Sequence, residues 1–226
     1  MFPLTRSRQD YLKALYALSL GGEPVATSRL ARRLGVSAPS VTNMLSRLAS
    51  ERLVDYAPRA GASLTTRGKR EALDIVRRHR ILETFLVRVL GFDWSEVHED
   101  AEVLEHHVSD RVLLAIDRLI GHPEEDPHGH PIPDRRGRIS RRRLAPLAAM
   151  APGKEVRVRE IRDSDACRLA RWKELGLVPG ARVKVRDVRA WDGVMELEVA
   201  GRPVVVGRSA LEGILVEPMR RTSRGA

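Results

Sequence analysis

TSRLARRLGVSAPSVTNMLSRLASERLV, residues 27–54, holds two short amphipathic segments separated by one glycine, and their spacing decides how the first third of the chain folds. Thr27 or Ser28 opens the first segment as an N-cap, and Gly35 allows the sharp turn after it. Ser37 caps the second segment, with Pro39 in its first turn, where a missing N–H costs nothing. Helix, glycine-containing turn, helix is the order of a helix-turn-helix. In the second helix Val41, Leu45 and Leu48 supply a buried stripe. That leaves Ser37, Ala38, Pro39, Ser40, Thr42, Asn43, Ser46 and Arg47 near the outer face, with Thr27 at the start of the helix before; small polar groups and one amide suit a major groove. Upstream, Leu12, Leu15, Tyr16 and Leu18 follow helical spacing, closed by GGEP at 21–24. Downstream, LVDY and ASLTT flank a P-R-A-G turn. This is a winged-helix hairpin with Arg59 at its tip, and Arg67, Lys69 and Arg70 follow it, placed for phosphates.

The 226 residues are 42% hydrophobic, 31% charged and 4% aromatic, a composition for several globular domains rather than for disorder or a membrane protein. No apolar run approaches the roughly 20 residues needed to span a bilayer. The charged N-terminus does not fit a signal peptide, and the single cysteine, Cys167, cannot form an internal disulfide. The expected location is the cytoplasm. The net charge of +10 is uneven: residues 1–72 carry 12 basic and 5 acidic side chains, whereas 73–134 carry 6 and 14. A basic head suits nucleic acid, and an acidic middle that also holds all 7 histidines suits a metal.

Residues 72–90 and 95–120 both carry helical periodicity. His79 and Glu83 stand at i and i+4, and Glu102, Glu105 and His106 at i, i+3 and i+4, with His98 one turn before Glu102. Carboxylates and imidazoles interrupt otherwise apolar helices there, where a cation is one of the few partners able to neutralise them. His107 points about 100° away around the helix and reads as supporting or exposed. His122, His128 and His130, in the loop HPEEDPHGHPIPD, read as surface histidines, with adventitious metal binding as the alternative. No H-E-x-x-H, nucleophile elbow, P-loop or GxGxxG occurs, so no enzyme is expected, nor a small organic substrate. After the basic run RRGRISRRR at 135–143, short Val-rich alternations (KEVRVREI, ARVKVRDV, VMELEVA, RPVVVG) read as the strands of a small barrel, with turns at 191–193 and 200–203.

These stretches in order, DYLKALYAL, residues 27–54, LTTRGKREAL, RRHRILETFL, VHEDAEVLEHHVSD and the closing PHGHPIP, resemble the DtxR/MntR family of metal-dependent transcriptional repressors. RLARWKELGLVPGARVKV is similar to the FeoA-like, SH3-type domain that many members carry. The resemblance implies a mainly α fold with a C-terminal β barrel: a winged helix-turn-helix over 1–72, a helical metal-binding and dimerisation domain over 73–140, a linker over 141–152 and an SH3-like domain over 153–226. It implies one metal site of His79, Glu83 and His98 and another of Asp10, Glu102, Glu105 and His106, with His79 open to either. The iron-responsive branch has a methionine and a cysteine where Asp10 and Glu102 stand; the oxygen ligands here match the manganese-responsive branch, and carboxylates suit Mn(II). Lys13 departs from that branch, which often has another acidic ligand there. A ligand lent by the C-terminal domain is matched by Asp163 or Asp165.

The function so implied is a Mn(II)-activated dimeric repressor of metal-homeostasis genes, bound to a palindromic double-stranded operator. Metal occupancy would fix the angle between the Asp10 helix and the dimer helices. The apolar excess at Ile81, Leu82, Phe85, Leu86, Leu90, Val103, Leu104, Val108, Val112, Leu113 and Ile116 is expected to serve the homodimer, the alternative being that it packs inside the protomer. The alternatives are an Fe(II)-responsive regulator, or one using another divalent transition metal, and a cytosolic metal-sensing interaction protein that does not act on DNA.

Overall fold

A computed structural model describes residues 4–19, 22–140, 142–189 and 191–219; Gly21 of the expected helix stop, Arg141 of the arginine run and residues 220–226 lie outside them. The chain forms two compact units: Met1–His79, Leu104–Leu113 and Pro133–Ile139 make the first, and Arg80–Val103, Leu114–Ile132 and Ser140–Ala226 the second.

In the first unit α1 (Arg6–Leu18), α2 (Thr27–Leu34) and α3 (Ala38–Ser50) precede a two-stranded wing of β1 (Val54–Ala57) and β2 (Gly61–Leu64), antiparallel in the register Val54↔Leu64 to Ala57↔Gly61. Leu12, Leu15, Leu30, Val41, Leu45 and Leu48 are fully buried in one core. The turn between α2 and α3 is as the sequence implies, with Gly35 at φ 65 and the Ser37 side chain accepting from the Ser40 N–H. The start of α2 is not: Thr27 lies inside the helix, and the cap is Ala26, which makes no side-chain hydrogen bond. Val25 exchanges both backbone hydrogen bonds with Ala62 of the wing, at 2.8 and 2.9 Å. Pairing with the wing therefore sets the entry to α2.

The long helix α4 (Thr66–Arg88) begins six residues before the expected 72, because Thr65 acts as its cap: its hydroxyl oxygen accepts from the Gly68 N–H at 3.0 Å and donates to the Arg52 carbonyl at 2.9 Å. The helix expected over 95–120 is two, α5 (Val97–Leu104) and α6 (Asp110–Leu119). Arg78 explains the break. Its guanidinium donates to the carbonyls of Glu105 and Val108 and pairs with Asp110, holding carbonyls that a continuing helix would bond internally. Ser109 then caps α6, accepting from the Val112 N–H. Glu105 and His106 consequently sit in a turn, not on a helix face.

In the second unit an antiparallel sheet runs in the order β3-β8-β4-β5-β6-β7. Its strands are β3 (Ala145–Pro146), β4 (Glu155–Ile161), β5 (Arg182–Arg189), β6 (Val194–Val199), β7 (Arg202–Gly207) and β8 (Ile214–Pro218), with α7 (Ala166–Glu174) inserted after β4. Val158, Ile161, Leu169, Leu177, Val185 and Val216 are buried in its core. The expected barrel is not closed: among the described residues β3 and β7 are edges that do not pair with each other. Strand alternation reveals strands but not whether the first meets the last. Residues 145–149, inside the expected linker, supply β3 and a 3-10 turn with Leu147 fully buried.

Part of the apolar excess is internal: Ile81, Leu82, Leu86 and Leu113 are buried within the chain. The side chains left exposed are Leu90, Val103 and Val112 from the expected set, together with Val89, Phe92, Leu114 and Leu119. Among the described residues no helix is long and apolar enough to cross a membrane.

Candidate metal centre and nucleic-acid interface

In the first unit α1 aims Gln9, Asp10 and Lys13 at the turn after α5. Asp10 Oδ1 lies 2.9 Å from His106 Nε2, Gln9 Oε1 lies 2.7 Å from His106 Nδ1, and Lys13 Nζ lies 2.9 and 2.7 Å from the two oxygens of Glu105. The Glu105 carboxylate is fully buried. The Gln9 contact fixes the imidazole: Nδ1–H donates to the amide oxygen, leaving the lone pair on Nε2, as for a histidine that ligates a metal while its other nitrogen is held. Nε2 itself is buried, 2.9 Å from Asp10 Oδ1, so an imidazole nitrogen and a carboxylate oxygen converge there. Glu105 Oε1, 3.5 Å from Nε2, adds another. An oxygen, oxygen and imidazole set of this kind fits a divalent transition ion.

His79 lies in the same unit, its Nδ1 2.6 Å from Glu105 Oε2 and 3.0 Å from Lys13 Nζ. It thus faces Glu105, the partner expected for the Asp10 site, while standing one helical turn before Glu83 on α4.

In the second unit Glu83 is buried and receives two imidazoles. His98 Nδ1 is 3.2 Å from Glu83 Oε1, and His98 Nε2 is 3.5 Å from Glu102 Oε1. His128 Nδ1 is 3.8 Å from Glu83 Oε2, and His128 Nε2 donates to the Trp94 carbonyl at 2.9 Å. His128 is therefore not a surface histidine: it is 2% exposed, with its ring against Trp94 at 5.1 Å. Burial pushes its pKa down, but the carboxylates of Glu83 and Asp126 and the Trp94 carbonyl outweigh that and raise it.

The loop holding His128 is organised by the buried Asp126. Its carboxylate accepts from the backbone N–H groups of His128 and His130 at 2.8 and 2.9 Å and pairs with the His130 ring at 3.1 Å. Burial pushes the Asp126 carboxyl up, and His130 together with Arg80 holds it lower than usual. Asp126, His128 and His130 themselves offer ligand atoms within 4.8 Å of one another, so His130 too departs from the surface reading. His122 and His107 are exposed as expected, His122 pairing with Asp117 at 3.1 Å. Asp163 joins no such group: it accepts from the N–H groups of Ser164 and Asp165 and pairs with Arg168 at 2.8 Å, while Asp165 caps α7.

On the DNA-reading side, Ser37, Ala38, Pro39, Ser40, Thr42, Asn43 and Arg47 are all exposed on and before α3, Arg59 is exposed at the wing tip with φ 69, and Thr27 is half-buried. Three hydroxyls are engaged locally: those of Ser37 and Ser40 with each other at 2.9 Å, and that of Thr42 with the Ala38 carbonyl at 3.1 Å. Asn43 is exposed on the same face, and Arg47 lies 3.7 Å from Glu51 one turn further on. Sequence reading missed Gln9 and His128. Gln9 adjoins Asp10 but gains its role only through His106, which is 97 residues away.

A winged helix whose first helix also helps to build a carboxylate and imidazole cluster defines a class of protein, nucleic-acid-binding regulators with an ion site built into the binding unit. Residues 3–62 match the iron dependent repressor N-terminal DNA binding domain, 65–134 the iron dependent repressor metal binding and dimerisation domain, and 145–218 the FeoA domain. The chain is 32% identical to the iron-dependent repressor IdeR of Mycobacterium leprae over 201 residues, 82% of this chain and 86% of that one. Among solved structures it is similar to a manganese-dependent transcriptional repressor in complex with manganese, with a TM-score of 0.86 at 39% identity, covering 94% of this chain and 100% of the other. It is also similar to ScaR with bound Zn2+, with a TM-score of 0.79 at 31% identity over 94% and 99%. The chain belongs to the iron-dependent repressor family, the DtxR/MntR family of metal-dependent transcriptional repressors, a family that is not enzymatic.

Proposed function

We propose that this protein is a Mn(II)-activated, dimeric repressor that binds palindromic operator DNA and controls genes of metal-ion homeostasis in the cytoplasm. The observation that carries the reading is the convergence of Asp10, Glu105 and His106, with His106 Nε2 oriented by Gln9. A divalent ion held there supplies the positive charge that ties α1 to the turn after α5. The chain's own part is to place the donors, bury Glu105 and hold the imidazole tautomer. A second proposed set is Glu83 and His98, with His128 as an added donor facing Glu83.

All donors of the first set are oxygen or nitrogen, which favours Mn(II) over softer ions; the similar structure described as a complex with manganese supports the same choice. In the proposed division, 1–72 reads DNA, 73–140 holds metal and the dimer contacts, and 153–226 is an SH3-like domain. The exposed Leu90, Phe92, Val103 and Leu119 are apolar surface of the kind a homodimer covers.

The test is operator binding by the full chain with and without Mn(II). Mn(II) is expected to tighten binding about 100-fold, ~2.7 kcal/mol of coupling, and affinity is expected to fall steeply with salt as phosphate contacts release counterions. Equal affinity after thorough chelation would remove metal control; a flat salt dependence would favour an interaction protein that does not use DNA.

A further inference from the structure

The Lys13 ammonium occupies a place that a cation would choose. It stands within hydrogen-bond distance of both oxygens of a fully buried carboxylate, Glu105, and 3.0 Å from the Nδ1 of His79. Two carboxylate oxygens thus accept from one positive charge, and the His79 Nδ1, itself 2.6 Å from Glu105 Oε2, stands beside it. A buried carboxylate without a counter-charge is costly, and removing the partner of a buried pair destabilises far more than an exposed pair is worth. Lys13 is three residues after Asp10, so one face of α1 delivers a carboxylate to His106 and an ammonium to Glu105 within the same cluster.

We propose that Lys13 is a resident cation that competes with the metal ion for Glu105 and so sets the metal concentration at which the protein responds. The proposal rests on the metal site assigned above to Asp10, Glu105 and His106. An ion that draws on Glu105 must loosen at least one of the two ammonium contacts, and two cations sharing one carboxylate a few ångströms apart repel each other in a site with little water to screen them. Lys13 therefore performs two opposed tasks. It neutralises Glu105 while the metal is away, and it raises the concentration of metal needed to displace it.

The experiment compares full-length wild type with Lys13→Met, Lys13→Gln and Lys13→Arg. Mn(II) affinity is read by calorimetric titration, and the thermal midpoint is read on the metal-free proteins. Lys13→Met is expected to bind Mn(II) at least tenfold more tightly while melting lower without metal. Lys13→Gln, which keeps one donor without the charge, is expected to tighten binding by a smaller factor and to serve where the methionine variant does not fold. Lys13→Arg is expected to stay near wild type in affinity. Unchanged or weaker Mn(II) binding in the neutral variants, with wild-type uptake intact, overturns the competition alone. A wild-type protein that takes up no Mn(II) overturns the metal site and the competition together.

Discussion

Replacing His106 with alanine is expected to abolish the manganese response of operator binding, a loss of about 100-fold in affinity at saturating Mn(II), while metal-free affinity stays at the wild-type level. The size follows from the coupling proposed for the site, since a ligand shifts an equilibrium only by its differential affinity for the two arrangements. His106 is the strongest choice because its Nε2 faces both Asp10 and Glu105 while Gln9 holds the other side of the ring at 2.7 Å. Removing the ring also takes away the group 2.9 Å from Asp10, so of the ties between α1 and the turn after α5 the contact of Lys13 with Glu105 is left. Gln9→Leu is expected to produce a partial version, since loss of such an orienting partner typically costs 10–100-fold in metal affinity. Fluorescence anisotropy on a labelled operator duplex, titrated with Mn(II), reads both. A manganese response retained by His106→Ala would show that the ion is bound elsewhere.

The second large effect concerns packing in the unit that holds Glu83 and His128. Gly129 has φ +84, and a Cβ built there would lie 1.8 Å from the Arg159 carbonyl oxygen of β4. This is backbone against backbone, so no side-chain adjustment relieves it. The same approach brings the His128 carbonyl to the Ile161 N–H at 2.9 Å, hanging the His128 loop on the sheet. Gly129→Ala must push the loop off β4 or unfold it locally. Overpacking of roughly 1–3 kcal/mol and about 1 kcal/mol for the left-handed backbone together predict a loss of roughly 2–4 kcal/mol, or about 5–10 °C in thermal midpoint for a chain of this size. Hydrogen exchange locates the damage: the Ile161 amide, protected in wild type, is expected to exchange rapidly in the variant. A midpoint within a degree of wild type, with Ile161 still protected, would contradict the account of this loop.

How far the sequence discloses these features depends on how local their causes are. The turn between α2 and α3 is legible because Gly35, Ser37 and Pro39 determine it among themselves within five residues. The break between α5 and α6 is not, because it depends on Arg78, whose guanidinium reaches the Glu105 and Val108 carbonyls from about 30 residues away. The periodicity of 95–120 continues through the break, so pattern alone reads one helix. His79, Glu83 and His98 announce themselves by type and spacing; His128 does not, because a histidine between Pro127 and Gly129 looks like loop chemistry until Asp126 and Trp94 bury it. Asp163, which the family resemblance offers as a ligand, accepts from the Asp165 N–H in the turn before α7 and pairs with Arg168, contacts that its place in the sequence does not disclose. The open sheet is hidden for a related reason, since alternation marks the strands and only their edges tell whether the sheet closes.

The central claim is that a divalent ion is held jointly by Asp10 of the winged helix and by Glu105 and His106 of the turn after α5. A crystal of the full chain grown with Mn(II) and measured on both sides of the manganese absorption edge tests it most directly. The account predicts an anomalous peak in contact with Asp10, Glu105 and His106 Nε2, present above the edge and much reduced below it. Manganese density found only at other side chains, with His106 Nε2 and Asp10 still facing each other and no ion between them, would contradict it.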